Sequence, residues 1–504
     1  MNGARGPSVQ VMVRDASCAT PACYTAATNE SYSLSISAAD GVQIAAETLI
    51  GASHAFASLA SLANPEAEIT CLPIQIVDRP RFGHRALLLD TARNWFSIDD
   101  IKKKILDPMH LTKMNVLKWH VYDSQSQPLE VRWWPKLWQP YSKQQSYTIE
   151  QAQELIDYAF HRGIRVLPEF DMPGHTDIFA KADPSIVACS GFLPWDGLGW
   201  GVGTWCAQPP AGQIRPENVS VMTRLLEEWM GLFPNSIIST AADEWNANCW
   251  AEKIVPTNSS EYPEFRAASL EKLKVFQEKV AATVTGAGRQ WAVYDESYGD
   301  WNFTGTDALP KGSLIFAWNH EDEMPAMTAA GYDVVAVPWR HWYLDCGLGT
   351  NESAPNNWCA PLKNWTNMYE YDPLANFTGG NPSRVLGGEA AMWSEMLRPA
   401  ILDYVVWPRA AAVAERLWSP AAATQSTEAA RPRLERLMAQ LELRGLRPSP
   451  LDFPGDNFRY ALLPQWCNTA PPQWDSQGVD YCAPAKAYAD VDLSVFENLV
   501  EPPY

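Results

Sequence analysis

The feature that most constrains this chain is an alternation that begins near residue 80. Eight short β-rich runs, Arg85–Asp90, Asn115–His120, Ile164–Phe170, Ser236–Ala241, Trp291–Tyr294, Leu314–Trp318, Asp333–Pro338 and Val385–Trp393, alternate with amphipathic helical stretches. The helical stretches carry start signals. Ser97-Ile98-Asp99-Asp100 and Thr148-Ile149-Glu150-Gln151 fit capping boxes, and Glu264–Val284 and Glu428–Leu443 are longer apolar-periodic segments. Eight strand-then-helix units is the count of an α/β chain folded as a (β/α)8 TIM barrel, although a doubly wound open sheet gives the same alternation. The barrel makes a further demand, that chemistry sit where its strands end. Polar and aromatic residues cluster there: Asp90 to Arg93, His120 to Asp123, Glu169 to His175, Asp243-Glu244, Trp318, Tyr343 to Asp345, and Trp393 to Glu395. That placement favours the barrel. Long insertions after the second, third and seventh strands are where substrate loops belong.

Residues 1–80 read as a small α+β unit, with strands at Tyr32–Ser37 and Ile74–Asp78 and a helix over Ala45–Leu62. Pro80 and Gly83 mark its end, so 81–504 forms the barrel with a C-terminal helical and loop extension.

Composition narrows the function classes. A net charge of −19 argues against nucleic acid or an anionic membrane as partner. No run of roughly 18 apolar residues is present, so no membrane-spanning helix is expected. The first residues, Met1-Asn2-Gly3-Ala4-Arg5-Gly6-Pro7, lack the apolar core of a signal peptide. Either a leader has been removed or the chain is cytosolic. Ten cysteines, with Cys18 near Cys23, Cys346 near Cys359 and Cys467 near Cys482, show no metal-type CxxC spacing and read as disulfides. Seven Asn-x-Ser/Thr sequons, at Asn29, Asn218, Asn258, Asn302, Asn351, Asn364 and Asn376, join them in favouring secretion. The 23 tryptophans suit a protein that packs sugar faces on indole rings. Histidine and cysteine do not cluster at ligand spacings, so neither metal nor organic cofactor is expected.

Asp243-Glu244 is the central pair. An isolated Asp-Glu is ordinarily solvated surface, but here it closes an apolar run at a strand end. Adjacency constrains mechanism. Ordinary retaining glycosidases set two carboxyls about 5 Å apart across the scissile bond, which chain neighbours do poorly. One neighbour can reach the leaving oxygen while the other holds a substituent of the same sugar, as when a 2-acetamido carbonyl attacks the anomeric carbon.

From about Pro80 onward the chain resembles family-20 glycoside hydrolases of the fungal β-N-acetylhexosaminidase type. The resemblance rests on His84-Arg85-Ala86-Leu87-Leu88-Leu89-Asp90-Thr91-Ala92-Arg93, Asn115-Val116-Leu117-Lys118-Trp119-His120-Val121-Tyr122-Asp123, Pro168-Glu169-Phe170-Asp171-Met172-Pro173-Gly174-His175, Trp342-Tyr343-Leu344-Asp345-Cys346-Gly347 and Gly387-Gly388-Glu389-Ala390-Ala391-Met392-Trp393-Ser394-Glu395. Residues 1–80 resemble the tail of the small α+β domain that precedes such barrels. The resemblance implies an exo-acting, retaining enzyme on chitin oligosaccharides or glycan termini, and allows a homodimer. It implies Glu244 as general acid and base, Asp243 as the acetamide's orienting carboxylate, and Tyr343 as donor to the acetamide oxygen. His175 and Asp123 become the pair supporting Glu244, and Arg93, Asp345 and Glu395 bind ring hydroxyls. Trp318 and Trp393 wall the acetamide pocket. It further implies disulfides Cys189–Cys249, Cys346–Cys359 and Cys467–Cys482, and leaves Cys71 and Cys206 unassigned.

Duller readings exist for some of these: Arg93 as a rim ion pair, His175 as a satisfied core histidine, Trp393 as plain core. The sequence also departs from the family twice. Ala241-Ala242 replaces a Gly-Gly, which strains the backbone if φ is positive. Tyr294 stands where a third tryptophan wall is usual. Both changes leave a catalytically weak sugar-binding protein, or disaccharide release, as alternatives.

Overall fold

The computed structural model describes residues 8–63, 68–138, 145–190, 212–251, 255–256, 258–348 and 359–452. A four-stranded sheet comes first: β1 (Val9–Asp15), β2 (Tyr32–Ser37), β3 (Gly41–Thr48) and β4 (Ile74–Asp78), in the order β1-β3-β2-β4. Helix α1 (Leu49–Leu62) packs against it. The sequence places the start of this helix at Ala45, and the structure corrects that. Val42, Ile44 and Ala46 alternate inward, and β3 pairs antiparallel with β2, Ala46 facing Tyr32. The helix begins only after Thr48, whose hydroxyl accepts the Gly51 N–H.

The barrel strands follow: β5 (His84–Asp90), β6 (Val116–His120) and β7 (Arg165–Glu169). A short ribbon of β8 (Val187–Ala188) and β9 (Gln213–Ile214) lies in the insertion after β7. Then come β10 (Ile237–Ser239), β11 (Gln290–Tyr294), β12 (Leu314–Ala317), β13 (Asp333–Ala336) and β14 (Val385–Met392). The eight are parallel and close on themselves through β10 and β7, so the open-sheet alternative is excluded. Each expected run holds one strand. Thr148 caps its helix in a full box with Gln151, whereas at Ser97 only the Asp100 N–H is bound back.

Strand alternation divides the residues between two cores. Leu87, Leu89, Leu117 and Trp119 face the surrounding helices. Ala86, Leu88, Val116, Leu167, Ile237, Ala292, Leu314 and Phe316 fill the barrel. The same alternation carries Lys118, His120, Glu169, Ser239 and Tyr294 inward nearer the strand ends. Below, the small sheet is clamped to the barrel by Glu30, whose carboxylate takes hydrogen bonds from His54, Arg85, Tyr24 and Asn115.

Cys189–Cys249 and Cys346–Cys359 are bonded, as is the proximal pair Cys18–Cys23. Cys71 is exposed and bonded to no other cysteine among the described residues. Cys206, Cys467, Cys482 and the Asn351 sequon lie outside the described residues. Among the described residues no helix is long and apolar enough to cross a membrane.

Candidate active site

Asp90 ends β5 and organises the turn that follows. One of its oxygens accepts the Ala92 and Arg93 N–H groups, and the other accepts the Arg93 guanidinium at 3.2 Å and the Ser394 N–H. Arg93 is thereby aimed across the barrel mouth. It reaches Asp123 at 2.7 Å and stands 3.9 Å from Glu395, with Trp393 stacked 5.1 Å from its guanidinium. The rim ion-pair reading is therefore geometrically satisfied, and the same arginine also faces the mouth's aromatic wall.

His175 follows the β7 strand end in left-handed backbone, φ 57°. Its two nitrogens serve two carboxylates: Nδ1 lies 3.1 Å from Asp123 Oδ2 and Nε2 lies 3.1 Å from Glu244 Oε2. Burial works against a charge on this ring, but Asp123 and Asp171 overcome it and hold the imidazolium well above its ordinary range. Asp123 also accepts from His120 Nε2 at 3.0 Å.

The chain neighbours Asp243 and Glu244 occupy different surroundings. The Glu244 side chain keeps 30% of its exposure on the open side. Asp243 is buried, its Oδ1 has no hydrogen-bond partner among the described residues, and desolvation, opposed by His175, pushes its carboxyl up to about 6. Burial first, then the Asp243 charge, drives Asp171 well above the carboxylate range. Donor atoms of Asp171, His175 and Asp243 fall within 4.8 Å of one another. Both ring nitrogens of His175 are nevertheless taken by the Asp123 and Glu244 carboxylates, which leaves the ring no lone pair to offer a cation.

Beside Asp243 the aromatic residues form a box. Trp318 and Tyr343 lie 20° from parallel with centroids 6.4 Å apart, and Trp393 stands 6.5 Å from Tyr343. Trp318 is oriented by its indole N–H, which donates to Glu296 at 3.1 Å. Tyr294 lies at the end of β11 as part of the barrel core, 1% exposed. Its hydroxyl is turned away into the interior, accepting from Lys118 Nζ at 3.1 Å and donating to Glu169 at 3.3 Å. Its polar atom is thus satisfied within the barrel. Asp345, beside the Cys346–Cys359 bridge, is buried with Oδ1 unpartnered, and burial followed by the Glu395 charge raises it well above its usual range.

The structure gathers Arg93, Asp123, His175, Asp243, Glu244, Trp318, Tyr343, Asp345, Trp393 and Glu395 at the barrel mouth, whereas Tyr294 turns its hydroxyl into the barrel interior. Asp171, Glu296, Lys118, Glu169 and Glu389 escape sequence reasoning because their partners lie on other strands. Local signals are partial: Glu169 and Asp171 fall in the polar run Glu169 to His175, and Lys118 is a charge inside the apolar run Val116-Leu117-Lys118-Trp119.

A profile of the glycosyl hydrolase family 20 catalytic domain matches residues 82–421, and one described as beta-acetyl hexosaminidase like matches 4–62. The chain is 32% identical over 425 residues to a probable beta-hexosaminidase of Arthroderma benhamiae, covering 78% of this chain and 68% of that protein. It is 30% identical over 463 residues to a chitooligosaccharidolytic beta-N-acetylglucosaminidase of Ostrinia furnacalis, covering 87% and 74%. Among solved structures, a Flavobacterium johnsoniae chitobiase superposes with TM-score 0.66 at 27% identity, covering 88% of this chain and 63% of that one.

Proposed function

The chain belongs to glycosyl hydrolase family 20, and on that premise we propose that it is a retaining exo-β-N-acetylhexosaminidase working by substrate-assisted catalysis. The observation that carries the proposal is the contrast within one dipeptide. Glu244 is open on one side and backed by His175, while Asp243 is buried beside the aromatic box with one oxygen free. Two acids pushed into different environments take different roles.

Glu244 protonates the departing glycosidic oxygen. Asp243 accepts the acetamide N–H and steadies the positive charge that grows as the acetamide oxygen bonds to the anomeric carbon, forming an oxazolinium ion. Tyr343 donates its hydroxyl to that oxygen, and Trp318 and Trp393 enclose the methyl group with Tyr294 behind them. Partners placed in advance of the charge, in a site with little water, stabilise the transition state at little reorganisation cost. Glu244, now a carboxylate, takes a proton from water, which opens the oxazolinium with net retention. His175 and Asp123 hold Glu244 in place, and Arg93, Asp345 and Glu395 bind the hydroxyls of the terminal sugar. The free oxygen on buried Asp345 supports such a bond.

The substrates are β-linked N-acetylhexosamine termini of chitin oligosaccharides or glycans. The disulfides and sequons support a secreted protein, and a homodimer is compatible with the family. The decisive measurement compares 4-nitrophenyl N-acetyl-β-glucosaminide with the plain β-glucoside and follows the first-formed anomer by NMR. Equal rates on both, or an inverted anomer, would end the proposal. Binding without turnover would favour the sugar-binding alternative, and disaccharide as first product from chitotriose would exclude the exo reading.

A further inference from the structure

A continuous run of buried side chains leads from the middle of the barrel to the general acid. Lys118 Nζ lies 2.7 Å from Glu169 Oε2, and Glu169 Oε1 lies 3.0 Å from His120 Nδ1. His120 Nε2 lies 3.0 Å from Asp123 Oδ2, which is 3.1 Å from His175 Nδ1, and His175 Nε2 meets Glu244. The first four side chains are no more than 1% exposed. Their charges alternate in sign along the run.

We propose that Lys118 and Glu169 are positioning residues, the inner end of a charge relay that acts through His120, Asp123 and His175 on Glu244. The inference rests on Glu244 being the proton donor proposed above. Its physical basis is that alternating charges in a low-dielectric interior lock one another's protonation and orientation. Burial opposes charge on both, yet Lys118 holds Glu169 down to about 2, and Asp123 and Glu169 hold His120 up to about 9. With one nitrogen on Glu169 and the other on Asp123, His120 is favoured as a cation, and together with Arg93 at 2.7 Å it holds Asp123 toward His175. Other groups face the run. Lys118 also meets Glu389 at 3.4 Å, the Tyr294 hydroxyl and the Phe316 ring. Asp90 and Arg93 act on His120, with the Trp393 ring 4.9 Å from it, and Asp171 and Arg93 act on His175. Because Tyr294 shares Lys118 and Glu169, one ion pair supports both the back of the aromatic box and the proton donor.

The test uses opposite charge changes. Lys118→Met removes a positive charge and makes loss of the catalytic proton harder. The alkaline limb of kcat/KM for chitobiose should move to higher pH. Glu169→Gln removes a negative charge and should move it to lower pH, each by about half a unit or more. The double variant, in which the charges cancel, should return near the wild-type limb. A purely structural role would lower activity in both without opposed shifts. Limbs that stay fixed or move in the same direction overturn the relay. Should one single variant fail to fold, the other decides: a limb moved in its stated direction supports the relay, and a limb that stays fixed or moves the opposite way overturns it. Wild-type discrimination between the 2-acetamido and 2-hydroxy substrates, measured first, tests the enzymatic proposal separately. If that fails, NMR titration of the His175 imidazole in the same variants reads the opposed shifts without turnover.

Discussion

His175 Nε2 stands 3.1 Å from Glu244 Oε2, and both residues hold left-handed backbone, at φ 57° and 49°. Each side chain is brought to the other by a backbone conformation that residues other than glycine seldom adopt. Strain of this kind collects where a fold holds groups for chemistry, and here it falls on the proposed proton donor and the histidine that backs it.

Glu244→Gln keeps the shape and removes the proton. Hydrolysis of chitobiose, whose leaving alcohol needs protonation, should fall by about 10²–10⁴-fold. An activated aryl glycoside should lose much less in its first step, since its phenolate departs unaided. Binding of a thiazoline analogue of the oxazolinium ion should persist in the variant. Steady-state rates on the two substrates check this, and equal losses on both would remove Glu244 from the role of acid.

Asp295 gives a prediction for stability against pH. It is fully buried, with Oδ2 accepting two backbone N–H groups, from Asn319 and His320, and Oδ1 unpartnered. Burial, opposed by those hydrogen bonds, pushes it up to about 7. The folded state therefore retains a proton that the unfolded chain releases near pH 4. Its contribution to stability is present below about pH 4 and is lost as pH rises to 7. Asp295→Asn keeps an acceptor for the two N–H groups and removes the charge. The variant should match wild type at pH 4 and exceed it at pH 8 by on the order of 2–4 kcal/mol. Denaturant melts at the two pH values measure it, and equal curves at pH 8 would refute it.

The barrel was legible because its strands are apolar runs with chemistry at one end, as at Ile237-Ile238 before Asp243-Glu244. β1 and β3 were not read. In β3 the alanines at 45 and 46 suit helix and strand alike, and only pairing with β2 decides. The first ring of site residues was legible through motif resemblance. The layer beneath was not, because Lys118, Glu169 and Glu389 meet across three strands and no spacing within one strand reports it. Tyr294 shows the same limit. Its departure from tryptophan is visible in sequence, but the Lys118 that takes up its hydroxyl is 176 positions away.

The Cys189–Cys249 bridge joins residues 60 apart in sequence and ends five residues past Glu244. Chain-entropy arguments give a loop of this length about 4 kcal/mol of stabilisation. Replacing both cysteines by serine should lower stability by roughly that amount and quicken thermal inactivation, while KM at low temperature changes little. A loss below about 1 kcal/mol would show that packing around Trp245 and Trp250 holds the catalytic loop unaided.

Ala241 and Ala242 sit at φ 51° and 61°, the conformation for which glycine is the natural choice. Left-handed alanine costs roughly 1–2 kcal/mol per residue. Both methyls are buried, one in the barrel core and one in the surrounding core, and each contributes roughly 0.8 kcal/mol. Glycine would also add freedom to the unfolded chain, worth about 0.4–1 kcal/mol. The opposing effects nearly cancel, so Ala241→Gly with Ala242→Gly should shift stability by no more than about 1–2 kcal/mol in either direction. Because the alanines already adopt the left-handed turn, Asp243 and Glu244 keep their places, and kcat should stay within about threefold of wild type, well under 1 kcal/mol of barrier. Urea melts and turnover of chitobiose check both statements. A rise in kcat of tenfold or more would mean that the strained Ala241-Ala242 turn holds this enzyme below the rate its charged groups allow.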